Sequence, residues 1–484
     1  MSLSSALSTA RNSLAATSRQ TSVVSRNLAG LNDPDYSRRT ASLVSGSYGS
    51  QFVSIRRSSD DALLTRLTQS NSAFSSSSIL AGGLDRLSSV FSGNDSSASP
   101  ANLIGKLRNA LHNFATSPSN STLGDSAVST ARSLADALNT GTRQVQTLRQ
   151  DADKEISQSV SRVNELLTRF EKVNRQIVSG TRLDNDVSDY LDQRDAILKE
   201  LSGEIGITTV MRGDNDMVIF ADNGVTLFET TARKLSFNPS GTLTPGFEGN
   251  PVLVDGIPLS HDTFDQPYGT GRLSGLLQLR DQIAPQYQSQ LDEMARGLVT
   301  MFAERSQSGT GADKTGLFSW AGSPDVPDAK VSAGLAGSIR VSSAFVASEG
   351  GSSLLLRDGG ANGADYKYNT TGSSGFSDRL RALGEAFSTP VSFDKAAGLS
   401  DRASLIDYSA SSASWLEGKR KAAHEELTYN RTVTNQAEQA LSNATGVNMS
   451  DEMALLLQLE HSYQATSRLL TTVNAMFDTL LRAV

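Results

Sequence analysis

Residues 446–484 read GVNMSDEMALLLQLEHSYQATSRLLTTVNAMFDTLLRAV, and the spacing of their apolar positions decides how the chain is organised. Met449, Leu456, Tyr463, Leu470, Phe477 and Val484 fall seven apart, and Leu459, Val473 and Leu480 each follow a member of that row by three residues. That is a coiled-coil heptad seam. Gly446 precedes it, Asn448 is placed to cap it, and Asp451 and Glu452 stand in the first turn, where the helix dipole favours carboxylates. A seam this narrow needs a partner helix.

The other end of the chain supplies one. Leu3, Leu7, Ala10, Leu14, Thr17, Thr21, Val24, Leu28 and Leu31 recur at alternating intervals of four and three, so they share a helix face. Gly30 tolerates a left-handed C-terminal turn and Pro34 disfavours helix at Asp33, which predicts an end near Ala29. Rich in Ser, Thr and Asn, this helix is marginal alone in water. The simplest arrangement pairs the two ends as one rod and inserts the rest of the chain between them. Burying a large apolar side chain contributes roughly 1.5–3 kcal/mol, and two helices leave a flank of such residues exposed. Neighbouring copies can cover it, and head-to-tail contacts generate rings or tubes. The expected assembly interface is therefore Leu3, Leu7, Leu14, Val24, Leu28, Leu31, Met449, Leu456, Leu459, Tyr463, Leu470, Val473, Phe477 and Leu480, on ends that fold on binding.

The 484 residues suffice for two to four domains with real cores. A net charge of -7 and isolated basic runs such as Lys419-Arg420-Lys421 argue against nucleic acid as a partner. Cysteine is absent, which removes disulfides, thiolate metal sites and thiol nucleophiles. Without a continuous apolar segment at the start or a membrane-length span elsewhere, the expectation is a chain either cytosolic or exported without a cleaved signal, and no membrane partner.

Between the ends, residues 58–202 read as mostly helical, with breaks at 92–100 and 117–125. In 151–180, Ile156, Val160, Val163, Leu167, Phe170, Val173 and Ile177 mark a long amphipathic helix, and a second follows in DVSDYLDQRDAILKELS. From Ile205 the period shortens, and GDND and DNG turn signals predict a hairpin meander to about Ser260. Helix resumes at Arg272, with Pro285 expected to kink or break it. Residues 307–398 turn rich in Gly and Ser, with SIRVSSAF and SSLLLRD as expected strands and a helix at 376–387; helix returns beyond Ala403. The fold class is mainly α with β insertions.

A search for chemistry finds none. His112, His261, His424 and His461 are isolated, and HEELT at 424 places Thr428 where a zinc helix needs its second imidazole. GTGRLSG has Ser274 in place of a third glycine, and Gly418-Lys419 precedes Arg420 rather than Ser or Thr, so neither a dinucleotide loop nor a phosphate loop is formed. The carboxylates of DQRDAILKE read as salt-bridge partners on a helix. No catalytic, cofactor-binding or metal residues are expected, and the chain is read as no enzyme. An enzyme in 309–400 would lack both His and an evident nucleophile–base pair.

VVSRNLAGLNDPDYSRR resembles the N-terminal motif of flagellar axial proteins, S-N-N-I-A-N-x-N-T-P-G-Y-S-R, and residues 446–481 resemble their C-terminal motif. YLDQRDAILKELS and GRLSGLLQLRDQIAPQYQSQLDEMA are similar to segments of the hook-associated protein 1 family. The resemblance covers both ends and the helical core. It implies a structural subunit exported through the flagellar type III channel to the hook–filament junction. Implied partners are further copies in a ring or tube, hook protein, hook-associated protein 3, and an export chaperone near the C-terminal helix. It also implies a division into an inner-tube domain (1–45 plus 443–484), a helical-bundle core (46–205 plus 272–308 plus 400–442), a β-meander insertion (206–271) and an outer β-containing domain (309–399). Three departures from the family pattern stand out: Asp35 follows Pro34 in place of Gly, which a type I turn accepts, Arg26 and Gly30 replace asparagines, and FAERSQSG at 302–309 replaces N-x-x-H-x-x-G. The alternative is a non-flagellar coiled-coil scaffold or signalling rod, which would more naturally continue its heptads than interrupt them with a meander.

Overall fold

The computed structural model describes residues 3–45, 51–92, 99–259 and 269–482; His261, Ser260 and Val484 lie outside them. The chain opens with helix α1 (Leu3–Ala29), then an antiparallel hairpin of β1 (Arg39–Ser45) and β2 (Gln51–Arg57), which the sequence reading did not anticipate. Helices α2 (Asp61–Ser92), α3 (Pro100–Thr116), α4 (Ser121–Arg182) and α5 (Ser188–Glu204) follow. Two three-stranded sheets come next, β3 (Ile207–Met211) with β4 (Met217–Ala221) and β5 (Thr226–Phe228), and β6 (Leu235–Ser236) with β7 (Leu253–Val254) and β8 (Ile257–Pro258). Asp255 and Gly256, both at positive φ, make the tight turn of the last hairpin.

The remaining helices are α6 (Arg272–Gln278), α7 (Ala284–Met301), the single turns α8 (Leu335–Ser338) and α9 (Leu355–Asp358), α10 (Asp378–Ala386), α11 (Leu405–Thr445) and α12 (Met449–Arg482). Short strands β9 (Phe318–Ser319) and β10 (Arg340–Val341) pair, as do β11 (Val391–Ser392) and β12 (Arg402–Ala403). Between α6 and α7 the helix widens into a π turn over Leu279–Ile283 rather than breaking. Pro285 sits just after it, where its missing N–H leaves the i−4 bond unmade and a π turn absorbs the loss.

At 62 residues α4 is the spine of the molecule, roughly 93 Å at 1.5 Å per residue. Asn120 caps it, accepting from Thr122 N at 3.0 Å, so the expected break at 117–125 is only the turn before this cap. The second half of α4 packs Ile156, Val163, Leu167 and Phe170 against α5, α6 and both meander sheets. The first half packs Leu134, Leu138 and Val145 into a core shared with α3, α7 and α11. The meander is tied to the spine by buried charge: Arg280 donates to Asp153 at 2.6 Å and to Asn250 O at 2.9 Å, and Asp153 accepts from Ser240 N at 2.7 Å.

Two expectations fail in residues 307–398. SSLLLRD forms the helical turn α9, and SIRVSSAF contributes only the two strand residues of β10. A short apolar run fits strand or buried helix equally well by period, and here Gly359 ends the turn. Residues 309–399, expected as an outer β-containing domain, place Phe318, Leu335, Phe345, Leu356 and Phe387 in the same core as α3, α4 and α7. The altered FAERSQSG segment anchors this region: the fully buried Glu304 carboxylate accepts from Asn362 N at 3.0 Å and faces Arg379 at 3.3 Å.

Candidate assembly site

The terminal helices α1 and α12 pack on each other and run antiparallel, since Asn27 near the end of α1 meets Glu452 at the start of α12. Asn448 caps α12, accepting from Ser450 N at 2.9 Å. The helices bury a mix of small, polar and branched apolar side chains: α1 buries Ala10, Ala16, Thr17, Val23, Val24 and Asn27, and α12 buries Glu452, Leu459 and Val473.

Each residue expected at the interface can now be placed. Val24, Leu459 and Val473 are buried in the rod. Leu3, Leu7, Leu14, Leu28, Leu31, Leu456, Leu470 and Phe477 are half-buried along its edges. Met449 and Tyr463 are exposed. Leu480 lies on α12, its side chain outside the described residues. The row that faces α1 is thus Glu452, Leu459, Thr466 and Val473, about 60° around the helix from the Met449 row, at 100° per residue. With Met453, Leu457, Leu469, Met476 and Leu481 also exposed, α12 carries large apolar side chains on faces that this chain does not cover.

A polar latch joins the rod to the bundle. Asn27 is fully buried; its Nδ2 donates to Arg39 O at 2.8 Å and to Glu452 Oε2 at 3.0 Å, while its Oδ1 accepts from Tyr36 OH at 2.9 Å and Arg39 N at 3.0 Å. Arg38 Nε donates to the other oxygen of Glu452 at 2.7 Å, and Arg38 N bonds Thr445 O at the end of α11 at 2.7 Å. From the hairpin, Arg39 donates to Asp189 at 2.5 Å and Asp192 at 3.0 Å, and Arg57 donates to Asp192 at 2.7 Å and pairs with Asp195. The carboxylates of DQRDAILKE thus act as salt-bridge partners on α5. Burial opposes the charge on Arg39 and Arg57, but these carboxylates outweigh it and raise both guanidiniums above their ordinary value. Where both partners are largely enclosed, as in Arg39 and Arg57 with Asp192, removing either strands a charge in the interior, which favours one docking geometry.

The turn explains two departures in the motif. Gly30 does not adopt positive φ; a Cβ there would lie 2.5 Å from the Tyr36 ring, so the expected left-handed turn gives way to a close-approach requirement. Asp35 also avoids positive φ, its N–H bonding Asp33 Oδ1 at 3.0 Å, and its carboxylate lies 3.9 Å from Lys199. Sequence reasoning missed Asn27 and Glu452 as a pair. The signal was there, since Glu452 falls seven before Leu459 in the row that faces α1.

Among the described residues no group of three or more His, Asp or Glu side chains could hold a metal ion, and no helix is long and apolar enough to cross a membrane. His424, the start of the failed zinc motif, pairs with Asp85 at 2.9 Å.

Residues 84–318 match the family described as the flagellar hook-associated protein FlgK helical domain, and residues 438–483 match the flagellar basal body rod FlgEFG protein C-terminal family. Flagellar hook-associated protein 1 of Bacillus subtilis is 22% identical over 99% of this chain and 98% of its own length. The Salmonella typhimurium protein of the same name is 27% identical over 34% of this chain and 30% of its own. The solved flagellar hook junction protein FlgK from Burkholderia pseudomallei is similar at a TM-score of 0.42 and 22% identity, over 54% of this chain and 47% of that one. A helical core matched by one family and a C-terminal helix matched by the other define a structural subunit of the flagellar axial assembly. Within that class its similarity is to the flagellar hook-associated protein 1 family, whose helical domain matches residues 84–318 and whose Bacillus subtilis member aligns along nearly the whole chain.

Proposed function

We propose that this chain joins the hook to the next junction protein and the filament through its terminal helix pair, with the bundle and meander arranged outside an inner tube of α1–α12 rods. On this reading it is exported before assembly and forms a ring or tube with its own copies. Hook protein lies on one side of that ring and hook-associated protein 3 on the other, and an export chaperone engages the α12 region before assembly. The division into inner-tube, bundle, meander and outer parts belongs to the same proposal. The observation that carries it is the exposed apolar surface of α12, where Met449, Leu457, Met476 and Leu481 are 54–74% exposed. Large apolar side chains left exposed on several faces of one helix mark an interaction surface.

The test is made in cells lacking the gene, complemented with wild type, Leu28→Asp or Leu470→Asp. Cells without the gene are expected to carry bare hooks and release flagellin into the medium. Both variants are expected to reproduce that phenotype while the purified chains keep the wild-type melting of the bundle. Normal filaments with either variant would overturn the assignment of the rod as the assembly surface.

A further inference from the structure

The outward faces of the two rod helices differ in chemistry. All the formal charges of α1 are positive, Arg11, Arg19 and Arg26, and Ser4, Ser8, Ala15, Ser18 and Ser22 lie exposed beside them. On α12, Met449, Met453, Leu457 and Glu460 follow at intervals of four, four and three, so one exposed stripe is apolar and ends in a carboxylate. Among the described residues neither Arg19 nor Glu460 forms a salt bridge within the chain, although Glu460 accepts from Gln464 at 3.2 Å.

Level and direction follow from the latch. Asn27 meets Glu452. Arg19 lies eight residues before the first and Glu460 eight after the second, so in an antiparallel pair they stand at the same height, about 12 Å from the latch. Arg19 is two residues past the buried Thr17, about 200° around α1, and so points away from α12. Glu460 is one residue past the buried Leu459, about 100° around α12, and turns away from α1. The two charges therefore leave the rod on different sides at one level, which suits a heterologous, ring-closing contact.

We infer that, in the assembly proposed above, the Arg/Ser face of α1 in one copy seats on the Met449–Met453–Leu457 stripe of α12 in the next, with Arg19 against Glu460 setting the register. The inference rests on that assembly reading and specifies its occupant: a second copy, presenting α1. The small side chains of α1 let the helices approach closely, the Arg19 stem lies over the methionines, and its guanidinium reaches the carboxylate. A flipped or slipped neighbour would leave Arg19 and Glu460 without each other, so the pair also selects one register.

The experiment uses charge reversal in complemented cells. Arg19→Glu and Glu460→Arg alone are each expected to lower the number of filaments per cell by about tenfold or more, the equivalent of about 1.4 kcal/mol at the contact. The double variant is expected to restore it. Because the natural chain has no cysteine, an Arg19→Cys/Glu460→Cys chain gives a second readout free of background: oxidised hook–filament fractions should show a ladder of cross-linked multimers. Single reversals that assemble like wild type, or a double variant no better than the singles, would overturn the inference. If Leu470→Asp still blocks assembly in that case, the rod remains the assembly surface and only this pairing of faces is wrong.

Discussion

In the bundle most of the fully enclosed large side chains are apolar, Phe114, Phe302, Phe387, Leu84 and Ile104 among them, whereas in the rod the fully enclosed residues include Asn27 and Glu452 while Met449, Leu457 and Leu481 face outward. Both regions are helical and both carry a clear apolar period. They differ in where the apolar surface goes: the bundle closes over its own, and the rod holds itself by a polar latch at one end and leaves much of α12 bare. A burial pattern of this kind separates a unit that is stable as a monomer from one completed by its neighbours.

Three changes break or sharpen that contrast, in falling order of effect. Phe302 packs edge-on against Phe318 at 5.2 Å and Phe387 at 6.0 Å between ring centroids. Phe302→Ala opens a cavity in the bundle, expected to cost about 3–5 kcal/mol of its stability by denaturant melting, with the rod contacts unchanged. Asn27→Ala removes one partner each from Glu452, which Arg38 still holds, from the Tyr36 hydroxyl and from the Arg39 backbone, an expected total of about 1–3 kcal/mol; the loss is expected to be local, as faster amide exchange in residues 27–45 and 449–459, with the bundle melting as before. Were the bundle to melt early in this variant, the two regions would be one cooperative unit.

The third concerns pH. Asp292 on α7 accepts from Gly334 N at 2.9 Å, Ala336 N at 2.8 Å and Gln288 Nε2 at 3.1 Å, yet burial pushes its carboxyl up to about 6 against those bonds. A folded-state value above the unfolded one means the folded chain holds the proton more tightly. The resulting stability is present below about pH 4 and lost as pH rises through about 6, at most about 3 kcal/mol at 1.36 per pKa unit. Wild type minus Asp292→Asn, followed by melting from pH 4 to 7, should fall over that window; a flat difference would show that Asp292 does not titrate there.

Much of this was legible in the sequence. The end of α1 at Ala29, the Asn448 cap and the GDND and DNG turns follow from local rules. Residues 309–399 were harder, because runs such as SSLLLRD are too short for a period and tertiary packing chose helix. At the rod, a heptad count registers apolar residues only, so it favoured the Met449 row and passed over the row in which a carboxylate, Glu452, meets an asparagine. Gly30 was read as allowing a left-handed turn, whereas what it provides is space for the Tyr36 ring, six residues away in sequence.

The most direct test of the account is hydrogen exchange on the full-length chain, as a monomer in solution and within isolated hook–filament junctions. The account predicts that α1 and α12 beyond the latch exchange quickly in the monomer while α4 and α7 are protected, and that the two terminal helices become protected in the junction. Terminal helices as protected as α4 in the monomer would contradict it, because the rod would then need no neighbour to be complete.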